Sequence, residues 1–215
     1  MDKNVFRSLS YGVYVIGSLD GERPTGCTAN SVMQITSSPA TVAVSINHDN
    51  YTNGCIARSG YFSCSILSEK SDAGLIGGFG FCSGKDADKF EGVSYKMSAG
   101  VPVLLDACGY VVCKVIDTME TSTHTVFLGE VVEGEVLKKE PPMTYAYYHN
   151  VIKGKSSKNA PTYLPEEGKE PAGPEKREAQ YRCNICGYVH KGESLPEDFK
   201  CPICGVSARY FTKEV

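Results

Sequence analysis

The sequence predicts a mainly β protein: a small barrel body of about 150 residues with few helices, followed by a miniature metal ribbon. Three observations lead there. Short runs rich in β-branched and aromatic residues recur through the first two thirds of the chain. A stretch of prolines, glycines and charges then interrupts every apolar pattern. Two CxxCG motifs close the chain.

Residues 13–16, 41–46, 61–67, 110–116 and 126–132 alternate apolar with small polar side chains or run continuously apolar, as half-buried or buried strands do. Asp20-Gly21 and Glu133-Gly134 supply turn signals between them. Helical stretches are brief. One covers 52–59 and stops at Gly60, and a second begins near 68–71. A doubly wound dinucleotide fold would need regular alternation of strands and helices and a glycine fingerprint where a strand meets a helix. Gly77-Gly-Phe-Gly80 does not form that fingerprint.

The expected organisation is a barrel over 1–152, a flexible linker over 153–180 and a ribbon over 181–215. The linker carries four prolines, three glycines and eleven charged residues, so it cannot bury a core. As a coil it would span roughly 30 Å, enough to let the ribbon visit another site. With 41% hydrophobic and 22% charged residues and a net charge of −3, the chain presents no basic surface for nucleic acid or anionic lipid. Small molecules or proteins are the expected partners. No apolar run approaches the roughly 18 residues of a membrane span, and Met1-Asp-Lys-Asn lacks an export pattern. Cys27, Cys55, Cys64, Cys82, Cys108 and Cys113 follow no CxxC spacing and read as reduced thiols, which suits a cytoplasmic protein.

The sharpest chemical signal is Cys183-Asn-Ile-Cys186-Gly, fourteen intervening residues counted from that cysteine, and Cys201-Pro-Ile-Cys204-Gly. Each pair is short enough for both sulfurs to face one ion, and the following glycine permits a turn that aims backbone N–H groups at the sulfurs. A tetrahedral site of four thiolates suits iron or zinc. His190 lies between the pairs, but four cysteines already fill a tetrahedron, so it is expected to be a solvated loop residue.

This segment resembles rubredoxin in Tyr181-x-Cys-x-x-Cys-Gly-Tyr188 and Phe199-x-Cys-Pro-x-Cys-Gly205, with Phe211 beyond. It departs in two respects. The stretch between the knuckles is shorter, and the chain has no tryptophan. The compact spacing is similar to the ribbon appended to rubrerythrins, and the resemblance implies an Fe(Cys)4 centre, with zinc as the alternative.

In the body, two segments flank predicted strands: Gly26 to Ser31, and Ser45 to Thr52. Thr28, Asn30, Ser31, Ser45 and Asn47 offer hydrogen-bonding groups to the edge of a flat ring, and Ala29 lets one approach. Asn50, Tyr51 and Thr52 precede a helix whose first amides can hold a phosphate. Composition alone also allows these residues to be ordinary turn formers and caps.

The body looks like the flavin reductase family through Tyr11-Gly-Val-Tyr-Val, Thr28-Ala-Asn-Ser31, the Ser45 to Thr52 segment, Gly60-Tyr-Phe-Ser and Thr123-His-Thr-Val-Phe-Leu-Gly-Glu-Val131. Met143-Thr-Tyr-Ala-Tyr-Tyr-His149 extends the match. The arrangement of both halves is similar to the high-molecular-weight rubredoxins, in which such a reductase domain is fused to a rubredoxin. The resemblance implies a split β-barrel that binds FMN. Thr28, Ala29, Asn30 and Ser31 would line the flavin ring and ribityl chain, and Asn47 with Asn50, Tyr51 and Thr52 would serve the ribityl chain and phosphate. His124 would be the catalytic residue where nicotinamide meets the ring; the plainer reading is a strand-end histidine packed on the barrel. Lys85 and Lys89 belong to a segment that can reach the phosphate. Tyr148 and His149 are either ligand contacts or a packed aromatic cluster.

The implied function is a relay: electrons from NADH or NADPH pass through FMN to the iron ribbon and on to an acceptor such as a flavodiiron oxygen or nitric oxide reductase. The family further implies a homodimer. Two other readings fit parts of the sequence, a redox sensor or adaptor with a structural zinc ribbon and a reductase of free flavin.

Overall fold

In a computed structural model, residues 3–152, 154, 180–186, 188–191, 194–196 and 198–214 are described. The proposed linker over 153–180, with its expected reach, lies almost entirely outside the described residues.

A seven-stranded antiparallel sheet forms the body: β1 (Tyr14–Asp20), β2 (Arg23–Ala29), β3 (Val32–Ser37), β4 (Ala40–Asn47), β5 (Tyr61–Ile66), β8 (Gly109–Glu120) and β9 (His124–Val136). Their order is β2-β1-β5-β8-β9-β4-β3. A separate two-stranded piece, β6 (Tyr95–Ser98) with β7 (Val101–Leu104), packs beside it. The sheet curls until its two ends share one core. Ile16 and Cys27 from one end meet Val42, Val44 and Ile46 from the other, with Ile56, Phe62, Cys64, Cys113 and Phe127 between them. Edge strands β2 and β3 do not join each other's ladder, which leaves the barrel split.

All five predicted strands are present, and sequence reading missed four. β2 contains Pro24 and Gly26, and β3 is exposed along nearly its whole length. Both are edge strands, where proline is tolerated and no continuous apolar run is needed. β6 and β7 are four residues each, too short for a period to register.

Helix α1 (Tyr51–Ser59) agrees closely with expectation. Asn50 caps its start by accepting from the Thr52 amide, and Gly60 ends it at φ 69°, a left-handed conformation that glycine adopts without strain. Helix α2 (Ala73–Phe81) begins a few residues later than expected because Asp72, not a serine upstream, accepts from the Gly74 amide. Ser68 and Ser71 instead tie the preceding turn together. The glycines that failed the dinucleotide pattern lie inside this helix.

A third helix, α3 (Tyr145–Asn150), packs Tyr148 into a second core with Val13, Val15, Leu67, Ile76 and Phe79. Tyr145 and His149 meet edge to face at 4.3 Å, and His149 Nδ1 lies 2.8 Å from the Gly154 carbonyl. The structure therefore places Tyr148 and His149 in a packed aromatic cluster. No helix among the described residues is long and apolar enough to cross a membrane.

The C-terminal piece is a three-stranded ribbon in the order β11-β10-β12, from Val189–Lys191, Gln180–Cys183 and Phe211–Glu214. Its apolar filling is aromatic and sulfurous. Phe211 meets Tyr188 and Phe199 edge to face, at 6.5 and 5.4 Å, over the buried cysteines. So small a core does not hold a domain without a further staple.

Candidate functional site

The four knuckle cysteines converge. Their sulfurs all lie within 4.8 Å of one another, with Cys183 to Cys204 at 3.6 Å and Cys186 to Cys201 at 3.4 Å. Cys183, Cys201 and Cys204 are buried and Cys186 is partly exposed. The turn geometry expected of CxxCG is present in the second knuckle: Gly205 sits at φ 74°, and its amide donates to the Cys201 carbonyl at 2.8 Å. Backbone amides also reach the sulfurs, from Tyr188 to Cys186, from Ile203 and Cys204 to Cys201, and from Val206 to Cys204.

These amides stabilise negative sulfur, the state in which a thiol binds metal. Among the thiols themselves, the hydrogen bond from Cys204 holds Cys186 down to about 5, and the same interaction pushes Cys204 up. Burial raises Cys201 to about 11. Protons crowded onto sulfurs this close must leave before four thiolates can share a cation. The donor set fits tetrahedral iron or zinc. His190 lies outside it; rather than a solvated loop residue it is part of β11, half-buried with its ring 4.7 Å from that of Phe199.

The other candidate residues lie where β2 passes into β3, where β4 ends beside the start of β9, and at the head of α1. Thr28 and Ala29 end β2, and Asn30 and Ser31 make the turn into β3. Ser31 Oγ donates to the Ser45 carbonyl at 2.7 Å, and the Ser45 amide returns a bond to the Ser31 carbonyl. Asn47 at the end of β4 pairs in register with His124 at the start of β9. His124 Nδ1 is 2.8 Å from Thr123 Oγ1. Asn50, Tyr51 and Thr52 follow at the head of α1.

Local bonding qualifies several of these assignments. Asn47 Oδ1 accepts from the Asp49 amide, and Asn50 accepts from the amides of Thr52 and Asn53 through its side chain and carbonyl. Two first-turn amides of α1 are thus already engaged. The Tyr51 hydroxyl donates to Asp20 Oδ2 at 2.8 Å, and this bond, with those from Arg23 and Arg58, holds the Asp20 carboxyl below its usual range.

Lys89 is the residue that sequence reasoning underrated. It is 9% exposed, and its ammonium donates to the carbonyls of Gly26 and Phe79, both at 2.9 Å. Among the described residues no carboxylate pairs with it, and burial lowers its pKa. One of its three donor hydrogens remains beyond those two bonds. Cys27, whose thiol pKa is raised by burial, lies within electrostatic reach of Lys89 and beside Thr52 and Asn50 at the head of α1. Beside them, Thr25 Oγ1 is buried without a hydrogen-bond partner in the described structure. A buried cation, an unsatisfied hydroxyl and a helix start together fit the phosphate end of a flavin nucleotide. Lys85 lies on the exposed part of the same loop.

Comparison with known proteins follows the same division. Residues 6–155 match the flavin reductase like domain, and residues 181–212 match the rubrerythrin, rubredoxin-like domain. The chain is 40% identical to the high molecular weight rubredoxin of Moorella thermoacetica, over 98% of this chain and 99% of that protein. It is 39% identical to the NAD(P)H ferric-chelate reductase of Archaeoglobus fulgidus, over 76% of this chain and 98% of that one. Among solved structures, flavin reductase PheA2 in its native state superposes with a TM-score of 0.57 at 28% identity, covering 67% of this chain and 93% of that one.

Proposed function

The chain belongs to the flavin reductase-like family and carries a rubredoxin-like domain behind the barrel, and from that premise we propose that it passes electrons from NADH or NADPH through FMN to an Fe(Cys)4 centre. The observation that carries the reading is the four-sulfur cluster fused to an oxidoreductase barrel of this family. When bound, a flavin accepts an electron pair as hydride and releases electrons singly, whereas iron held by thiolates accepts one at a time. The onward acceptor in this proposal is a protein, of the flavodiiron class, because a tethered one-electron carrier is useful where electrons leave for another protein.

The chain's own residues bind and orient. Thr28, Ala29, Asn30 and Ser31 form the wall beside the flavin, Ser45 and Asn47 face its polar edge, and Lys89 with the Asn50–Thr52 turn holds its phosphate. His124 lies across the β4–β9 ladder from Asn47, where it can direct the nicotinamide. Replacing His124 with Ala is expected to slow flavin reduction by NAD(P)H or raise the nicotinamide KM by about 10- to 100-fold, the range of one positioned polar group, while FMN stays bound. Unchanged stopped-flow kinetics would remove the role assigned to it.

The outer face of the barrel supports a homodimer. Met33, Ala43 and Leu128 lie in register across β3, β4 and β9, and Ser45, Val126 and Met119 lie in register across β4, β9 and β8. Met33 and Met119 are 62% and 59% exposed. A second copy would cover this apolar ladder and stand over Ser45 and Asn47. Sedimentation equilibrium should therefore give about twice the 23.3 kDa of one chain; a monomer mass would remove the dimer. A cytoplasmic location accords with the six unpaired cysteines outside the ribbon and is tested by fractionation.

Anaerobic titration with NADH, followed by visible spectra, tests the relay. Bleaching of both the flavin and the iron-thiolate bands, with uptake of about three electrons per chain if flavin takes two and iron one, is the expected result. Flavin bands alone, or an iron band that NADH does not bleach, would leave a flavoprotein with a structural ribbon.

A further inference from the structure

We propose that helix α2 is the docking platform for the metal ribbon, and that Gly77 is the positioning residue that admits the second knuckle. This rests on the relay reading only for its functional consequence. α2 carries glycine at 74, 77, 78 and 80. Each glycine inside a helix destabilises it relative to alanine, so such a sequence calls for a steric reason.

The contacts supply one. A methyl built on Gly77 would fall 2.7 Å from Cys204 Cβ and 2.8 Å from the Cys204 carbonyl carbon, with the carbonyl oxygen closer still. Two of these are backbone atoms of a metal-ligand residue, so no flexible end can swing aside. A methyl built on Gly205 would likewise meet the Gly74 backbone, 2.9 Å from its Cα. Phe81, at the end of the helix, packs against the cluster of Cys183, Cys201 and Cys204 with Ile203 and Val206. Knuckle and helix therefore meet backbone to backbone, and only glycine permits that approach.

Another side of α2 faces the proposed flavin wall. Thr28 Oγ1 donates to the Ile76 carbonyl at 3.2 Å, and a methyl on Gly80 would stand 3.5 Å from the same side chain. One helix, about 10 Å across, separates Thr28 from Cys204. Docking at Gly77 thus fixes the metal centre at a short distance from Thr28.

Gly78 provides the control. On the same helix, a methyl there meets nothing within 4 Å. Both Gly77→Ala and Gly78→Ala raise intrinsic helix propensity, so loss of α2 does not confound the comparison. Full-length protein carrying zinc is first examined by 15N relaxation. In wild type and Gly78→Ala the ribbon amides should tumble with the barrel; in Gly77→Ala they should tumble faster, as a separate body.

With iron and flavin loaded, stopped-flow mixing with NADH should show metal reduction slowed at least roughly tenfold relative to flavin reduction in Gly77→Ala, as expected when a held geometry is lost. Gly78→Ala should match wild type in both. A ribbon that already tumbles independently in wild type, or that stays docked in Gly77→Ala, overturns the docking proposal. Freed motion with an unchanged ratio overturns the positioning role. Failure of the metal to be reduced in wild type and both variants alike sinks the relay instead, while the relaxation data still decide the dock.

Discussion

Replacing Cys183 and Cys186 together with serine is expected to abolish electron delivery to an acceptor protein while NAD(P)H still bleaches the flavin. Two ligands of four are lost, and outer-shell changes alone cost 10- to 100-fold in metal affinity, so acceptor reduction should fall by more than about 100-fold. The ribbon itself should unfold. Its core is the buried cysteines and a few aromatic rings, and binding energies of about 10–16 kcal/mol for structural metal in such modules are folding energy. The barrel has its own cores around Phe62 and Phe79 and should melt as in the parent protein. Cytochrome or flavoprotein acceptor assays, set beside direct flavin bleaching and calorimetry, read all three. Loss of flavin reduction in a variant whose barrel transition is intact would sink the division of labour between the two halves.

Lys89→Met should narrow the preference of the barrel for FMN over riboflavin. Charge-assisted hydrogen bonds contribute about 1.5–3 kcal/mol, which corresponds to roughly 10- to 150-fold in affinity for the phosphorylated form alone. Riboflavin lacks the phosphate and serves as the internal control, because any general loosening of the carbonyls of Gly26 and Phe79 weakens both ligands alike. The pH dependence has a definite sign. Burial lowers the Lys89 pKa, so the charged form is the one lost as pH rises, and FMN selectivity should decline on the alkaline side earlier than an ordinary lysine would dictate. Fluorescence titration of both flavins against wild type and variant checks it. An equal loss for the two ligands would take Lys89 out of the phosphate site.

The ribbon was almost fully legible because metal chemistry imposes a spacing that sequence displays directly. The central strands were legible for a similar reason: Phe62, Cys64, Cys113 and Phe127 alternate inward, and period two survives in the chain. β2 and β3 escaped because edge strands tolerate Pro24 and exposed side chains at little cost. Lys89 was named but its burial was not legible, for a deeper reason. A lysine in a polar loop looks solvated, and only the three-dimensional return of that loop onto β2 and α2 buries it. Tyr51 was legible at the head of α1 but not in the partner of its side chain, since its hydroxyl donates to Asp20 on β1, 31 residues earlier.

The glycines of α2 also set how the molecule breathes. A nine-residue helix with four glycines has little intrinsic persistence, and what keeps it wound is the capping carboxylate of Asp72 and the burial of Ile76 and Phe79. It is therefore the natural weak joint of the barrel, and it lies between the cysteine cluster and Thr28 of the proposed flavin wall. Amide hydrogens along α2 should exchange early, and metal loading of the ribbon, felt through Gly77, should slow them. Occupancy of one redox site would then register as rigidity at the other.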